Sequence, residues 1–316
     1  MTWLWLIGGL VVLVIGGELL VQNASALALK AKVSPLVVGL TVVAMGTSAP
    51  ELFASLQAAW KGDGSIAVGN VLGSNVANLG LALGLTALVS PVAMKWRDLK
   101  LHWWVMLAAT AAFMVFVQDL KLTRQEGLIL LAGGALYLGG QILAARRDAN
   151  SSVADDLLEE AGDASRPYPV LLGLLVMGCV GLFFGSEAFV FGASEIALDW
   201  GVSTHVIGVT VVAFGTSVPE IAASLTAAIR GNSALSIGNL VGSNILNILL
   251  VLGATAEVGT LKVSEVVPVH DAWWMLGAAV LLAPLMVLGK GNIGRFSGAL
   301  YVGIYVAYVV LVVAHG

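Results

Sequence analysis

The chain has 316 residues, 59% of them hydrophobic and 11% charged, with a formal net charge of −4. Soluble domains carry about 25% charged and about 45–50% apolar residues. The 34 charged side chains here, 15 basic and 19 acidic, cannot solvate a globule of this size. A soluble enzyme, a disordered chain and a free nucleic-acid binder are excluded, which leaves a polytopic membrane protein whose solvent is the lipid bilayer.

Taken in chain order, apolar runs broken by polar clusters predict spans near 3–22, 34–60, 65–90, 101–118 and 124–145. A second set follows near 168–191, 202–229, 234–256, 272–289 and 293–314. A spanning helix needs about 20 residues, so all ten fit. No Lys or Arg precedes Lys30, whereas a secretory signal opens on a basic segment; residues 3–22 therefore read as a retained first helix. Between the two sets, residues 146–167 form a polar loop containing Asp155, Asp156, Glu159, Glu160 and Asp163. Cys179 is the single cysteine, so no intrachain disulfide forms, and its apolar neighbours mark it as a packed thiol.

Cytoplasmic loops of membrane proteins carry the excess of Lys and Arg. With both termini outside, the inner loops hold Lys30, Lys32, Lys95, Arg97, Lys100, Arg146, Arg147, Arg166, Arg230, Lys290 and Arg295. Only Lys61, Lys121, Arg124 and Lys262 then lie outside. The expected orientation has both termini outside and the acidic loop cytoplasmic. Trp103/Trp104 and Trp273/Trp274 fall at span starts, where interfacial anchors belong.

Self-comparison exposes a duplication. Residues 39–84 and 208–253 match at 25 of 46 positions at a constant offset of 169, without a gap. The same offset carries Glu18, Ala24 and Ser25 onto Glu187, Ala193 and Ser194. With one or two added residues the match continues from Trp103/Trp104 to Trp273/Trp274 and from Tyr137 to Tyr308. The chain thus reads as residues 1–145, the 146–167 loop and residues 168–316, two copies of one five-helix unit. Five is odd, so the second copy enters the membrane from the opposite side. The expected fold class is an all-α polytopic membrane protein, ten transmembrane helices in two inverted five-helix repeats, an architecture of secondary transporters.

Each copy carries Gly-Thr-Ser-x-Pro-Glu in its second helix, at Gly46–Glu51 and Gly215–Glu220. Pro50 and Pro219 lack an N–H, so the carbonyls of Gly46 and Gly215 lose their helical partners. Such backbone is tolerated at membrane depth only inside protein or along a cavity. With the hydroxyls of Thr47, Ser48, Thr216 and Ser217 it supplies hard oxygen ligands. Glu51 and Glu220 open the restarted helix, whose positive end favours a carboxylate; ionisable groups at this depth are costly and mark function. In the third helix Asn70, Ser74 and Asn78 follow at i, i+4 and i+8 and share a face, and Asn239, Ser243 and Asn247 repeat them. Asn70, Asn75, Asn239 and Asn244 serve equally well as glue between helices. The GxxxG pairs Gly69/Gly73 and Gly238/Gly242 permit close approach to the broken helix.

The assembled site holds two carboxylates, neutral oxygens and carbonyls, with no thiol or imidazole, which suits hard cations and not zinc or copper. Two negative charges are balanced by one Ca²⁺, by two or more Na⁺, or by two protons. An occluded site with unbalanced charge is costly, so ion exchange follows more naturally than uniport.

With GTSAPE plus GNVLGSNVAN and GTSVPE plus GNLVGSNILN, the sequence resembles the sodium/calcium exchanger branch of the Ca²⁺/cation antiporter superfamily, prokaryotic type. The resemblance covers all ten helices. It implies Na⁺/Ca²⁺ antiport, with the first and sixth predicted helices sliding past a fixed core. Carried over, Glu51 and Glu220 are the principal Ca²⁺ carboxylates, and Thr47 and Thr216 are further Ca²⁺ ligands. Ser48, Ser217, Ser74 and Ser243 and the carbonyls of Ala44 and Ala213 would take Na⁺, and Asn78 and Asn247 would face the centre. K⁺-dependent relatives place an acid at one of these central positions; both are Asn here, which speaks against K⁺ cotransport. The 146–167 loop has no room for cytosolic Ca²⁺-sensing domains.

The implied protein is no enzyme, needs no cofactor beyond its transported Ca²⁺ and Na⁺, and has no evident obligate protein partner. A prokaryotic inner membrane is its expected location. H⁺/Ca²⁺ antiport on the same scaffold is the alternative, and an intramembrane hydrolase is disfavoured because no GxGD, HExxH or Ser–His constellation occurs. Glu18 and Glu187 read either as pathway residues or as groups near an aqueous mouth.

Overall fold

Peptide groups in hydrocarbon must pair within their own segment or close a barrel, and the apolar runs of this chain form helices. The computed structural model describes residues 2–148, 164–201 and 215–315. In chain order these give α1 (Thr2–Ala31), α2 (Pro35–Thr47), α3 (Ala49–Trp60), α4 (Gly64–Val89), α5 (Trp96–Asp119) and α6 (Arg124–Asp148). The second half gives α7 (Tyr168–Asp199), α8 (Val218–Ile229), α9 (Ser233–Val258), α10 (Val267–Leu288) and α11 (Arg295–His315). Among the described residues, eight helices are long and apolar enough to cross a membrane, and the α2–α3 pair, bent by 43°, makes a ninth. α8 is the repeat mate of α3. Most of the predicted helix ahead of it, residues 202–214, lies outside the described residues, as does 149–163 of the acidic loop.

α1 and α7 are 30 and 32 residues long, well beyond their predicted 3–22 and 168–191. The helix α1 continues through Gln22 and Asn23, and Asn23 donates to the Leu19 carbonyl at 2.7 Å inside it. The two helices cross along their length on glycine contacts. A Cβ on Gly16 would lie 2.8 Å from the Leu182 nitrogen, and one on Gly185 would lie 2.8 Å from the Leu13 nitrogen. Only hydrogen fits there, and backbone meets backbone.

α9 and α4 form the centre: 94% and 78% of their apolar spans are buried, against 17% for α11. Gly238 and Gly242 seat α9 on α2, where a Cβ on Gly242 would lie 2.7 Å from Leu40 Cα. Their mates Gly69 and Gly73 meet nothing within 4 Å among the described residues; the mates of α2, residues 204–216, fall outside the described residues up to 214. The expected close approach is therefore realised by α9.

Among the described residues, four two-residue strands tie the halves together. β1 (Val92–Ala93) pairs antiparallel with β4 (Asn292–Ile293), and β2 (Lys121–Leu122) with β3 (Leu261–Lys262). Each ladder joins one half to the other, and the two ladders are repeat mates. The first sits at the face that carries Arg230, where Ser90 donates to the Ala228 carbonyl. The second sits at the face that carries Lys61, where Gly64 packs on Leu261 and Lys262.

The tryptophan pairs divide. Trp104 and Trp273 face outward, as anchors do. Trp103 is buried and its indole N–H donates to the Ala279 carbonyl at 2.7 Å, while Trp274 donates to His270 at 3.1 Å. Adjacent helical residues point about 100° apart, so only one of each pair can face lipid.

Candidate ion site

The two motifs fold alike. Pro50 and Pro219 lie in the first turns of α3 and α8, and the serine before each helix bends the chain identically, Ser48 at φ −84°, ψ 4° and Ser217 at φ −86°, ψ −2°. Glu51 and Glu220 follow in those first turns, fully buried, where the helix dipole favours their charge. The two motifs meet, since Ser48 of the first reaches Glu220 of the second.

Around them gather the predicted side chains of both halves. Ser48 Oγ donates to Glu220 Oε1 at 3.0 Å and Ser243 Oγ to the same oxygen at 3.4 Å. Thr47 Oγ1 donates to Asn239 Oδ1 at 3.0 Å and lies 3.5 Å from Ser243 Oγ. Its mate Thr216 lies 3.2 Å from Ser74 Oγ, and Ser74 stands beside Glu51. Among the described residues, both carboxylate oxygens of Glu51, Glu220 Oε2, Asn78 Oδ1, Asn247 Oδ1 and Ser217 Oγ are buried without a hydrogen-bond partner. Buried polar groups are almost always paired, so six such oxygens drawn from both repeats are an exception that leaves acceptor capacity open. Among the same residues no three His, Cys, Asp or Glu side chains converge. Ala44 is buried, and its carbonyl accepts the Ser48 N–H at 3.0 Å; Ala213 lies outside the described residues.

Asn70 and Asn239 act as braces. Asn70 Nδ2 donates to the Glu51 carbonyl at 3.3 Å and to Ser55 Oγ at 3.0 Å. Asn239 repeats this on the Glu220 carbonyl at 3.5 Å and Ser224 Oγ at 2.9 Å. Asn75 donates to the Asn244 carbonyl at 3.2 Å and accepts from Asn247 at 3.1 Å, joining α4 to α9.

Three features escaped the sequence reading. Ser55 and Ser224 follow each glutamate by one helical turn in both copies, a signal that was present in the repeat. Asn78 and Asn247 each open a widened π-helical turn, Asn78–Leu83 and Asn247–Leu252, a device frequent at functional sites. Ser186 of α7 donates to the Gly215 carbonyl at 2.6 Å. The proline frees that carbonyl, as expected, and a hydroxyl from another helix then engages it. The mate of Ser186 is Gly17, so no repeat signal announced it.

A cavity of about 480 Å³ runs between α3 and α7 to the break, lined by Pro50, Gln57, Trp60, Ser186, Glu187 and Thr216 among others. Glu187 thus lies on the wall of this cavity. Its mate Glu18 is instead paired with Arg230, whose Nε donates to Oε2 at 2.7 Å.

A family model described as sodium/calcium exchanger protein matches residues 1–143 and 170–314. The chain belongs to the sodium/calcium exchanger family. Among relatives of this exchanger-family chain, the putative antiporter CaxA of Alkalimonas amylolytica is 37% identical over 305 residues, covering 95% of each chain. The sodium/calcium exchanger MaX1 of Methanosarcina acetivorans is 32% identical over 349 residues, covering 98% of each. A solved structure of the sodium-calcium exchanger NCX_Mj matches with a TM-score of 0.82 and 31% identity, over 98% of this chain and 97% of that one. The resemblance read from the two motifs is borne out, and so is the all-α membrane fold.

Proposed function

We propose that this chain exchanges Na⁺ for Ca²⁺ across its membrane by alternating access, with Glu51 and Glu220 as the Ca²⁺ carboxylates. The observation that carries the reading is the set of six buried oxygens, contributed by both repeats, that lack a hydrogen-bond partner among the described residues. Ca²⁺ takes six to eight oxygen ligands in flexible geometry, and one Ca²⁺ neutralises two carboxylates. Thr47 and Thr216 complete the Ca²⁺ set, and Asn78 and Asn247 face its centre. Ser48, Ser74, Ser217 and Ser243 and the Ala44 and Ala213 carbonyls hold Na⁺. A hydroxyl that donates to Glu220 when the carboxylate is free can turn its lone pairs to Na⁺ once a cation sits there. Loading either one Ca²⁺ or two or more Na⁺ keeps the occluded site near neutrality, while an empty occluded site would bury two like charges. That constraint couples the two ions.

The functional units are residues 1–145 and 168–316, joined by 146–167. The face carrying Arg230 also holds most of the Lys and Arg, which supports a cytoplasmic assignment for it and external termini, in the inner membrane of a prokaryote. In proteoliposomes, an imposed Na⁺ gradient drives radiolabelled Ca²⁺ uptake. Uptake that ignores Na⁺ and follows a pH gradient overturns the coupling ion in favour of H⁺.

A further inference from the structure

The offset of 169 relates four residues at one face to four at the other. It pairs Glu18 with Glu187, Arg230 with Lys61, Ser25 with Ser194 and Asn232 with Asp63. In the structure the two sets behave differently.

At the Arg230 face α1 lies against α8. Glu18 accepts from Arg230 Nε at 2.7 Å and from a second guanidinium nitrogen, and Gln22 donates to the same carboxylate. Asn232 Nδ2 donates to Ser25 Oγ at 3.0 Å. A Cβ on Gly17 would lie 3.0 Å from Thr226 Oγ1, so little room separates α1 from α8. At the Lys61 face α7 stands away from α3 and leaves the 480 Å³ cavity, with Glu187 on its wall. Among the described residues no ion pair joins Glu187 to Lys61, and no side-chain hydrogen bond joins Ser194 to Asp63.

We infer that the two acid–base pairs are alternating latches. Glu18–Arg230 holds one mouth shut while the other stands open. In the opposite state Glu187 closes on Lys61, Ser194 closes on Asp63, and Glu18 releases Arg230. The inference rests on the alternating-access reading of the site. Both mouths carry the same chemistry on the same repeat positions, so exchanging the conformations of the two halves turns each mouth into the other. α1 and α7 meet backbone to backbone at Gly16 and Gly185 and so move as one body, so closing one mouth opens the other. The Glu18 and Arg230 side chains are 34% and 37% exposed. A pair so solvated shifts the equilibrium between states only about two- to fivefold, strong enough to bias a gate and too weak to lock it. The arginine fork grips a carboxylate at two points, whereas lysine offers a point charge; the resting state with the Lys61 mouth open is the one this asymmetry favours.

Cross-linking tests it. In a Cys179→Ser background, Glu187→Cys with Lys61→Cys is treated with a short bifunctional thiol reagent in proteoliposomes. A cross-link forms, and adding Glu18→Gln raises its rate about two- to fivefold. Replacing that change by Glu18→Arg with Arg230→Glu returns the rate to that of the parent, which a misfolded variant could not do. No cross-link, or a rate indifferent to Glu18→Gln, overturns the latch. Na⁺-driven Ca²⁺ uptake by the unsubstituted protein is measured in parallel. Its absence defeats the exchange reading and leaves the cross-linking result standing, whereas normal uptake without a cross-link defeats the latch alone.

Discussion

Glu51→Gln separates an ion ligand from a structural carboxylate by the sign of its effects. Both Glu51 oxygens lack a hydrogen-bond partner among the described residues, whereas Glu220 retains Ser48 and Ser243; Glu51 therefore loses the more when its charge goes. Removing one member of a buried charge set costs about 3–5 kcal/mol. At about 1.4 kcal/mol per tenfold, Ca²⁺ affinity falls by roughly two to four orders of magnitude. Without ions the sign reverses, because the substitution abolishes the repulsion with Glu220 and the burial of one charge. Thermal unfolding of the purified protein reads both. At a Ca²⁺ concentration 100 times the dissociation constant the parent gains about 2.7 kcal/mol. With affinity reduced at least a hundredfold, the variant at the same concentration gains at most about 0.4 kcal/mol. In ion-free buffer it unfolds no earlier than the parent, and Na⁺-driven Ca²⁺ uptake is abolished. A Ca²⁺-induced stabilisation equal to the parent's refutes the assignment, and a variant that unfolds early in both buffers makes Glu51 a structural residue.

Further outcomes follow from single contacts. Asn239→Ala removes the donors to the Glu220 carbonyl and Ser224 and should cost about 1–3 kcal/mol of stability while weakening Ca²⁺ binding far less than Glu51→Gln; denaturation and Ca²⁺ titration compare the two. Ser186→Ala strips the Gly215 carbonyl of its 2.6 Å donor and should lower the unfolding temperature, where an unchanged temperature would mean that another group takes the carbonyl. Gly46→Ala drives a methyl into Cys179 Sγ and should reduce exchange. Adding Cys179→Ala, which removes that sulfur, should restore much of it, and a double variant as poor as the single one would show that the contact is not the cause.

Much of the site was legible because it is written locally. A proline frees a carbonyl four residues back wherever the helix goes, and a glutamate beside it in an apolar run is conspicuous. The spacing of Asn70, Ser74 and Asn78 puts them on one face before any packing is known. The division of labour on that face was not legible. Asn70 braces the Glu51 backbone while the Asn78 side chain has no hydrogen-bond partner among the described residues, and nothing in an Asn tells which it will do. The tryptophan pairs failed for a related reason, since proximity to a span end does not say which of two neighbours faces lipid.

The duplicated sequence by itself determined that this is a ten-helix inverted-repeat membrane protein, where each helix breaks and which carboxylates lie deep. Those properties depend on local composition, on proline covalent structure and on a repeat count, none of which needs a partner helix. Tertiary structure alone decided that Ser48 turns to the glutamate of the other repeat, that Ser186 takes the Gly215 carbonyl, and that among the described residues Glu18 has an ion-pair partner and Glu187 has none. Two halves that share their motifs describe both mouths in the same words. A folded molecule must seat α1 and α7 in one position or the other, and only that choice makes one mouth closed and its twin open.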